Sequence, residues 1–129
     1  MKKIIQTDYA PAPIGPYNQA VRHNNTLYIS GQIALDPETG ELDNANILRE
    51  TERVMNHLEA ILKEAGLDFS RVLKCSIFLT DLQQFSAVNE VYASFFDESQ
   101  APARETLEVR KLPRGAAVEI SAIAGFDES

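Results

Sequence analysis

Cysteine occurs once in the 129 residues, at Cys75, so the chain has neither a disulfide framework nor a cluster of thiolate metal ligands. A reducing, cytoplasmic setting is the expectation that follows. Histidine is nearly as scarce. His23 stands beside a turn and His57 within a helical pattern, with no second ligand at metal spacing, which argues against a metal site. No apolar run is long enough to span a bilayer, and the basic start MKKIIQTDYAP lacks the hydrophobic stretch of a signal peptide. Positive charge is also in short supply: the formal net charge of -7 argues against nucleic acid or an anionic membrane as partner and leaves room only for a local basic pocket. Glycine-rich phosphate loops are missing, as are Ser–His–Asp and Cys–His arrangements.

What is present suits one soluble domain spanning 1–129. Hydrophobic residues make up 44% and charged residues 24% of the chain. A length of 129 residues is enough to bury roughly two-thirds of the unfolded surface. The segment 2–7 reads as a short strand. Pro11, Pro13 and Pro16 make 9–17 an extended, stiffened loop. Asn24-Asn25 joins strands over 19–23 and 26–35 as a hairpin, and Gly31 inside the second arm predicts a bulge or a close backbone approach.

A long helix is predicted from about Asn44 to Ala65, stopped by Gly66, with Ile47, Thr51, Val54, Leu58, Ile61, Leu62 and Ala65 on one stripe. The strand 72–80 follows, with Leu73, Cys75, Ile77 and Leu79 alternating inward. Asp81 and Gln84 form a candidate capping box for a second helix, to about Phe96, with Phe85, Val88, Tyr92, Phe95 and Phe96 as its apolar stripe. The order βββαβαββ favours an α+β fold: a single mixed six-stranded sheet with two helices on one face. Two helices leave the other face uncovered, and packing against copies of the same chain is the simplest remedy. A merely wetted face is the alternative, as antiparallel sheets allow.

The last two strands, over 104–109 and 118–124, read as a hairpin around Pro113 and Gly115. Pairing Val109 with Val118 would bury Leu107, Val109, Val118, Ile120 and Ala122 together. Arg104, Thr106, Glu108, Glu119 and Ser121 would then share the opposite face. A guanidinium and two carboxylates on one sheet face point to a site. Arg104, after the rigid Pro102-Ala103, is a candidate fork for a small carboxylate. An ion pair with Glu105 or Glu108 is its plainer alternative, which composition alone favours. Glu119 opposite Glu108 would have its pKa raised by repulsion toward an acid/base value, unless arginines or water neutralise both. In this register Arg104 and Glu119 stand roughly 13 Å apart, too far for one small substrate to touch both unless a water or a neighbouring subunit intervenes.

Tyr17 is a candidate ligand-closing residue, or else packs at a loop end. Ser30-Gly31 offers a hydroxyl and an approachable backbone, or else a plain bulge. Cys75 reads as a small core residue. Arg110, Lys111 and Arg114 read as a solvated loop cluster.

Four blocks, APIGPYNQAV at 12–21, YISGQIALDPETGEL at 28–42, FLTDLQQFSAVNEVYASFF at 78–96 and PARETLEVRKLPRGAAVEISAIA at 102–124, resemble the RidA (YjgF) family in that family's order. The resemblance implies a chorismate-mutase-like fold, a homotrimer around a central barrel and clefts between subunits. It also implies 2-iminobutanoate/2-iminopropanoate deaminase activity, linked functionally to pyridoxal-phosphate (PLP)-dependent dehydratases. Carried over by position, Arg104 would hold the substrate carboxylate and Glu119 would position or activate water. Tyr17, Ser30, Gly31, Phe85, Asn89 and Thr106 would complete the substrate-binding wall. No metal or organic cofactor is implied, because an imine carbon is already electrophilic.

Two departures stand out. Thr106 occupies a position where many members carry cysteine, so thiol-dependent regulation there would be lost. The segment ESQAP before Arg104 is shorter than in some relatives and would reshape the cleft mouth. Two other readings remain at this level: a non-catalytic sensor of keto acids, and an endoribonuclease or translation inhibitor, against which the acidic balance and absent histidine pair argue.

Overall fold

A computed structural model describes residues 1–127. The strands are β1 (Lys3–Ile5), β2 (Ala20–His23), β3 (Thr26–Gln32), β4 (Val72–Leu79), β5 (Ala103–Glu108) and β6 (Val118–Gly125). The helices are α1 (Ile47–Glu64) and α2 (Phe85–Ala93), and the chain order is the expected βββαβαββ. All six strands join one mixed sheet in the order β1-β2-β3-β6-β4-β5. Only β4 and β5, the strands flanking α2, run parallel; every other neighbouring pair is antiparallel. Among the described residues no helix is long and apolar enough to cross a membrane.

Local chemistry sets most boundaries. Asn24, at φ 55, supplies the left-handed residue of the β2–β3 hairpin, whose closing pair is His23 and Thr26. Helix α1 begins at Ile47, three residues after the predicted start near Asn44, because Asn46 is its cap, its side chain accepting from Arg49 N. At the other end Gly66, at φ 79, allows Leu67 N to reach Leu62 O and Gly66 N to reach Lys63 O, which satisfies the last carbonyls. Asp81 caps too, but it accepts from Gln83 N and opens a short 3-10 turn (Leu82–Gln84) that leads into α2. The second helix ends at Ala93, short of the predicted Phe96. Phe95 and Phe96 instead pack edge-on against Phe69.

Both helices cover one face of the sheet. Val54, Leu58, Ile61 and Leu62 of α1 and Val88 of α2 meet Leu27, Ile77, Val118 and Ile120, all buried in one connected core. The α1 stripe is wider than the apolar pattern indicated, since Glu50, Met55 and His57 are buried as well.

Several expectations about the last strands and the faces fail. The predicted β5–β6 hairpin does not form: β5 pairs in parallel with β4, and β6 inserts between β3 and β4. The central position gives VEISAIAG two hydrogen-bonded neighbours and full burial of Val118, Ile120 and Ala124. Each large apolar side chain so buried contributes about 1.5–3 kcal/mol. The polar strand ARETLE goes to the edge, where water can solvate it.

This topology also redistributes the faces. Arg104 pairs with Cys75 and Thr106 with Ile77, so Arg104, Thr106 and Glu108 lie on the helix-covered side. Glu119 pairs with Phe78 and Ser121 with Ser76, on the open side. Leu107 is half exposed instead of buried. Leu73, predicted to point inward, is turned out by an irregularity between Val72 and Lys74 that leaves Val72 in the core.

Candidate active site

The polar residues singled out in the sequence fall into two clusters, one on each face of the sheet. The first surrounds Glu119. Strand β3 shifts register against β6 between Ile29 and Gln32, so Ser30-Gly31 forms the predicted bulge beside the start of β6. Glu119 folds its side chain onto the bare backbone of Gly31. A Cβ built there would lie 2.8 Å from Glu119 Cδ, and closer still to Oε2. The half-buried carboxyl has its pKa raised above the ordinary glutamate value by burial alone. Repulsion from Glu108 plays no part. Glu108 is on the other face and accepts from Leu82 N at 2.9 Å.

The proline loop supplies the second wall. Buried Gln19 is its clamp: Oε1 accepts from Thr7 N at 2.8 Å, and Nε2 donates to the carbonyls of Thr7, Ala10 and Pro11 at 2.9–3.2 Å. Ser30 Oγ donates to Asn18 O at 2.6 Å, so its hydroxyl ties the loop to the bulge. Tyr17, half exposed, accepts from Ile14 N at 3.3 Å through its Oη. Together these enclose a cavity of about 490 Å³ bounded by Tyr17, Ser30, Gly31 and Glu119, with Pro11, Ala12, Ile14, Ile33, Leu35 and Pro113 as apolar wall. Arg114 also lines it. This exposed residue takes a left-handed φ of 61 and donates from Nη2 to Gly40 O, so one member of the predicted solvated loop cluster also stands at the cavity rim.

The second cluster surrounds Arg104. Its Nη1 donates to Asn89 Oδ1 at 2.6 Å, while its Cζ stands 5.2 Å from the Phe85 ring centre and 5.0 Å from that of Tyr92. Neither ion-pair alternative holds. Glu105 lies across the edge strand with Lys74 and Ser76, and Glu108 caps the turn before α2. Arg104 therefore keeps most of its five donors for a ligand. It lines a cleft of about 680 Å³ with Asn89, Tyr92, Ala93, Phe96, Glu98, Ala101 and Pro102. Phe85 packs beneath the guanidinium, and Thr106 lies two residues along the strand, beside Ile77; neither lines this cleft.

The structure thus brings Tyr17, Ser30, Gly31 and Glu119 together, and brings Arg104, Asn89 and Phe85 together, but it does not bring the two sets together within one chain. Sequence reasoning missed Gln19, Arg114 and the site-facing side of Tyr92. The Phe85–Asn89–Tyr92 spacing was the available signal for the last. Cys75 is buried in the core as expected, and burial pushes its thiol pKa up. Among the described residues no three His, Cys, Asp or Glu side chains gather where they could hold a metal ion.

The sequence profile of the Endoribonuclease L-PSP family matches residues 7–126. A mouse protein named 2-iminobutanoate/2-iminopropanoate deaminase is 47% identical over 124 residues, covering 96% of this chain and 91% of its own. Two solved structures superpose closely. E. coli TdcF with bound serine has a TM-score of 0.90 at 41% identity, covering 97% of this chain and 99% of its own. RidA from an Antarctic Psychrobacter has a TM-score of 0.91 at 43% identity, covering 96% and 99%. With the profile spanning nearly the whole chain and relatives this similar along their full length, the protein belongs to the RidA family, whose sequence profile carries the description Endoribonuclease L-PSP.

Proposed function

We propose that the protein hydrolyses small 2-imino acids, the 2-iminobutanoate/2-iminopropanoate class, to 2-keto acids and ammonia. The observation that carries this reading is Glu119: a half-buried carboxyl with a raised pKa, in a largely apolar cavity sized for a small molecule. The name of the mouse relative supports the reaction class, and the serine bound to E. coli TdcF supports a small carboxylate-bearing ligand.

Arg104 is the anchor for that carboxylate. Because it lies on the face opposite Glu119, a complete site needs the Arg104 cluster of one copy to meet the Glu119 cavity of another. Two different surfaces meeting head to tail close into a ring, and the homotrimer around a central barrel is the ring we propose. In the shared cleft Arg104 binds the substrate carboxylate, and Tyr17, Ser30, Gly31 and Asn89 shape the walls. Phe85 supports the arginine from below. Glu119 orients a water and takes its proton as the oxygen bonds to the imine carbon. It returns that proton to nitrogen to give the carbinolamine, then takes the hydroxyl proton and passes it to the nitrogen as the C–N bond breaks, so that the carbonyl forms and ammonia leaves. In this reading PLP-dependent dehydratases supply the imines, and the protein works beside such enzymes in the cytoplasm.

A threonine dehydratase reaction supplemented with purified protein tests the reading. Wild type accelerates keto-acid release and R104A does not; equal behaviour of the two would sink it. Sedimentation that returns only monomer would remove the shared site. The description of the family profile favours one competing reading, endoribonuclease. RNA cleavage that survives in R104A and scales with protein purity would promote it.

A further inference from the structure

Tyr92 carries an unexplained hydroxyl. Its Oη is buried facing the Cys75 thiol, a weak partner at best, and makes no hydrogen bond of ordinary geometry among the described residues. A phenylalanine would fill the same space without stranding an oxygen. What the residue offers the molecule is therefore its ring rather than its polar tip. The face of that ring stands 5.0 Å from Arg104 Cζ, within the range of a cation–π contact.

Tyr92 does not act alone. Phe85, Asn89 and Tyr92 recur at helical spacing on α2 and present one surface to β5. Two rings flank the guanidinium and one carbonyl oxygen fixes its Nη1. Arg104 itself sits on an exposed edge strand, where a long side chain would otherwise sample many rotamers. Glu98 lines the same cleft and is an available anion for an untethered guanidinium. An arginine held in one orientation offers a preformed fork to an incoming carboxylate and loses less freedom on binding.

We infer that Tyr92 is a positioning residue whose ring holds Arg104 in the orientation that receives the substrate carboxylate. This rests on the reading of Arg104 as the carboxylate anchor. The hydroxyl is dispensable and the aromatic face is not.

The test compares Y92F and Y92L in the full-length protein, with 2-iminobutanoate generated in situ and with NMR of the Arg104 side chain, assigned by loss of its signal in R104A. Ring currents move the Arg104 Nε–Hε signal upfield in wild type. Y92F keeps that shift, keeps KM and melts no earlier than wild type, because no hydrogen bond of ordinary geometry is lost. Y92L returns the signal toward the ordinary arginine position and raises KM about 5- to 30-fold, with kcat little changed. A wild-type signal at the ordinary position would overturn the inference without any variant having to fold. So would a Y92L protein with unchanged KM, or a Y92F protein that behaves like Y92L. Full activity in R104A would instead remove the anchor role of Arg104, while the NMR arm still decides whether Tyr92 orients the guanidinium.

Discussion

Glu119 rests on Gly31. The missing side chain at position 31 leaves the space in which the carboxyl lies, with the position of a Gly31 Cβ only 2.8 Å from Glu119 Cδ. A β-bulge, one glycine and one glutamate on adjacent strands thereby place a carboxyl group in a cavity wall that is otherwise mostly apolar.

G31A displaces that carboxyl. The obstructing atoms are the end of a flexible side chain, so the fold adjusts at a cost of about 1–3 kcal/mol while the carboxyl loses its place. Steady-state kinetics are expected to show kcat reduced by at least about tenfold with a well-folded circular dichroism spectrum. Unchanged kcat would show that this contact does not set the reaction geometry.

Glu119 also sets a pH dependence. In the proposed reaction it works ionised as the proton acceptor, and burial raises its pKa above the ordinary 4.5. The rate is expected to fall on the acid side with an apparent pKa above that value, and E119Q to lose the acid limb together with most of the rate. A limb that persists in E119Q belongs to another group.

His57 makes the fold acid-sensitive. Its Nε2 bonds Leu35 O at 2.7 Å in the core, and burial lowers its pKa to about 4 from 6.5. The unfolded chain binds a proton there between pH 6.5 and 4 and the folded chain does not, so stability falls with pH across that window, by about 3 kcal/mol in all. Glu50 and Glu119, whose pKa values are raised, bind protons more readily when folded; they lose stability as pH rises above 4.5 and partly offset the trend. Urea melts from pH 7 to 4 are expected to show a steeper decline in wild type than in H57Q. Parallel curves would exclude His57 as the cause.

Glu50 ties helix α1 to the strand that carries Glu119. Its buried carboxylate accepts from Ala117 N at 2.7 Å, two residues before Glu119. E50A leaves that amide without its acceptor and is expected to cost about 1–3 kcal/mol in chemical denaturation. E50Q, which can still accept one bond, is expected to lose less. Equal stability of E50A and wild type would show that water replaces the carboxylate.

Patterns of short range were legible in the residues alone. Apolar spacing, the Asn24-Asn25 turn, the Gly66 stop and the glycine inside β3 each act over a few residues, and each led to the right element or irregularity. Buried polar residues were not legible. Nothing in a helical stripe announces that Glu50 or His57 will be covered, because their partners Ala117 and Leu35 lie far along the chain.

The element order and the helix-covered sheet came from local periodicity and turn chemistry, which also singled out Arg104, Glu119 and Ser30-Gly31, whereas Asn89 was pointed to only by the resemblance. Which strands pair, and hence which face each polar residue occupies, was decided by competition for the middle of the sheet. The apolar VEISAIAG strand gains burial and two hydrogen-bonded neighbours there, and it displaces the polar β5 to the edge. That exchange is nonlocal, so alternation along one strand cannot reveal it. It turns Arg104 toward α2 and leaves Glu119 on the open side, against Gly31.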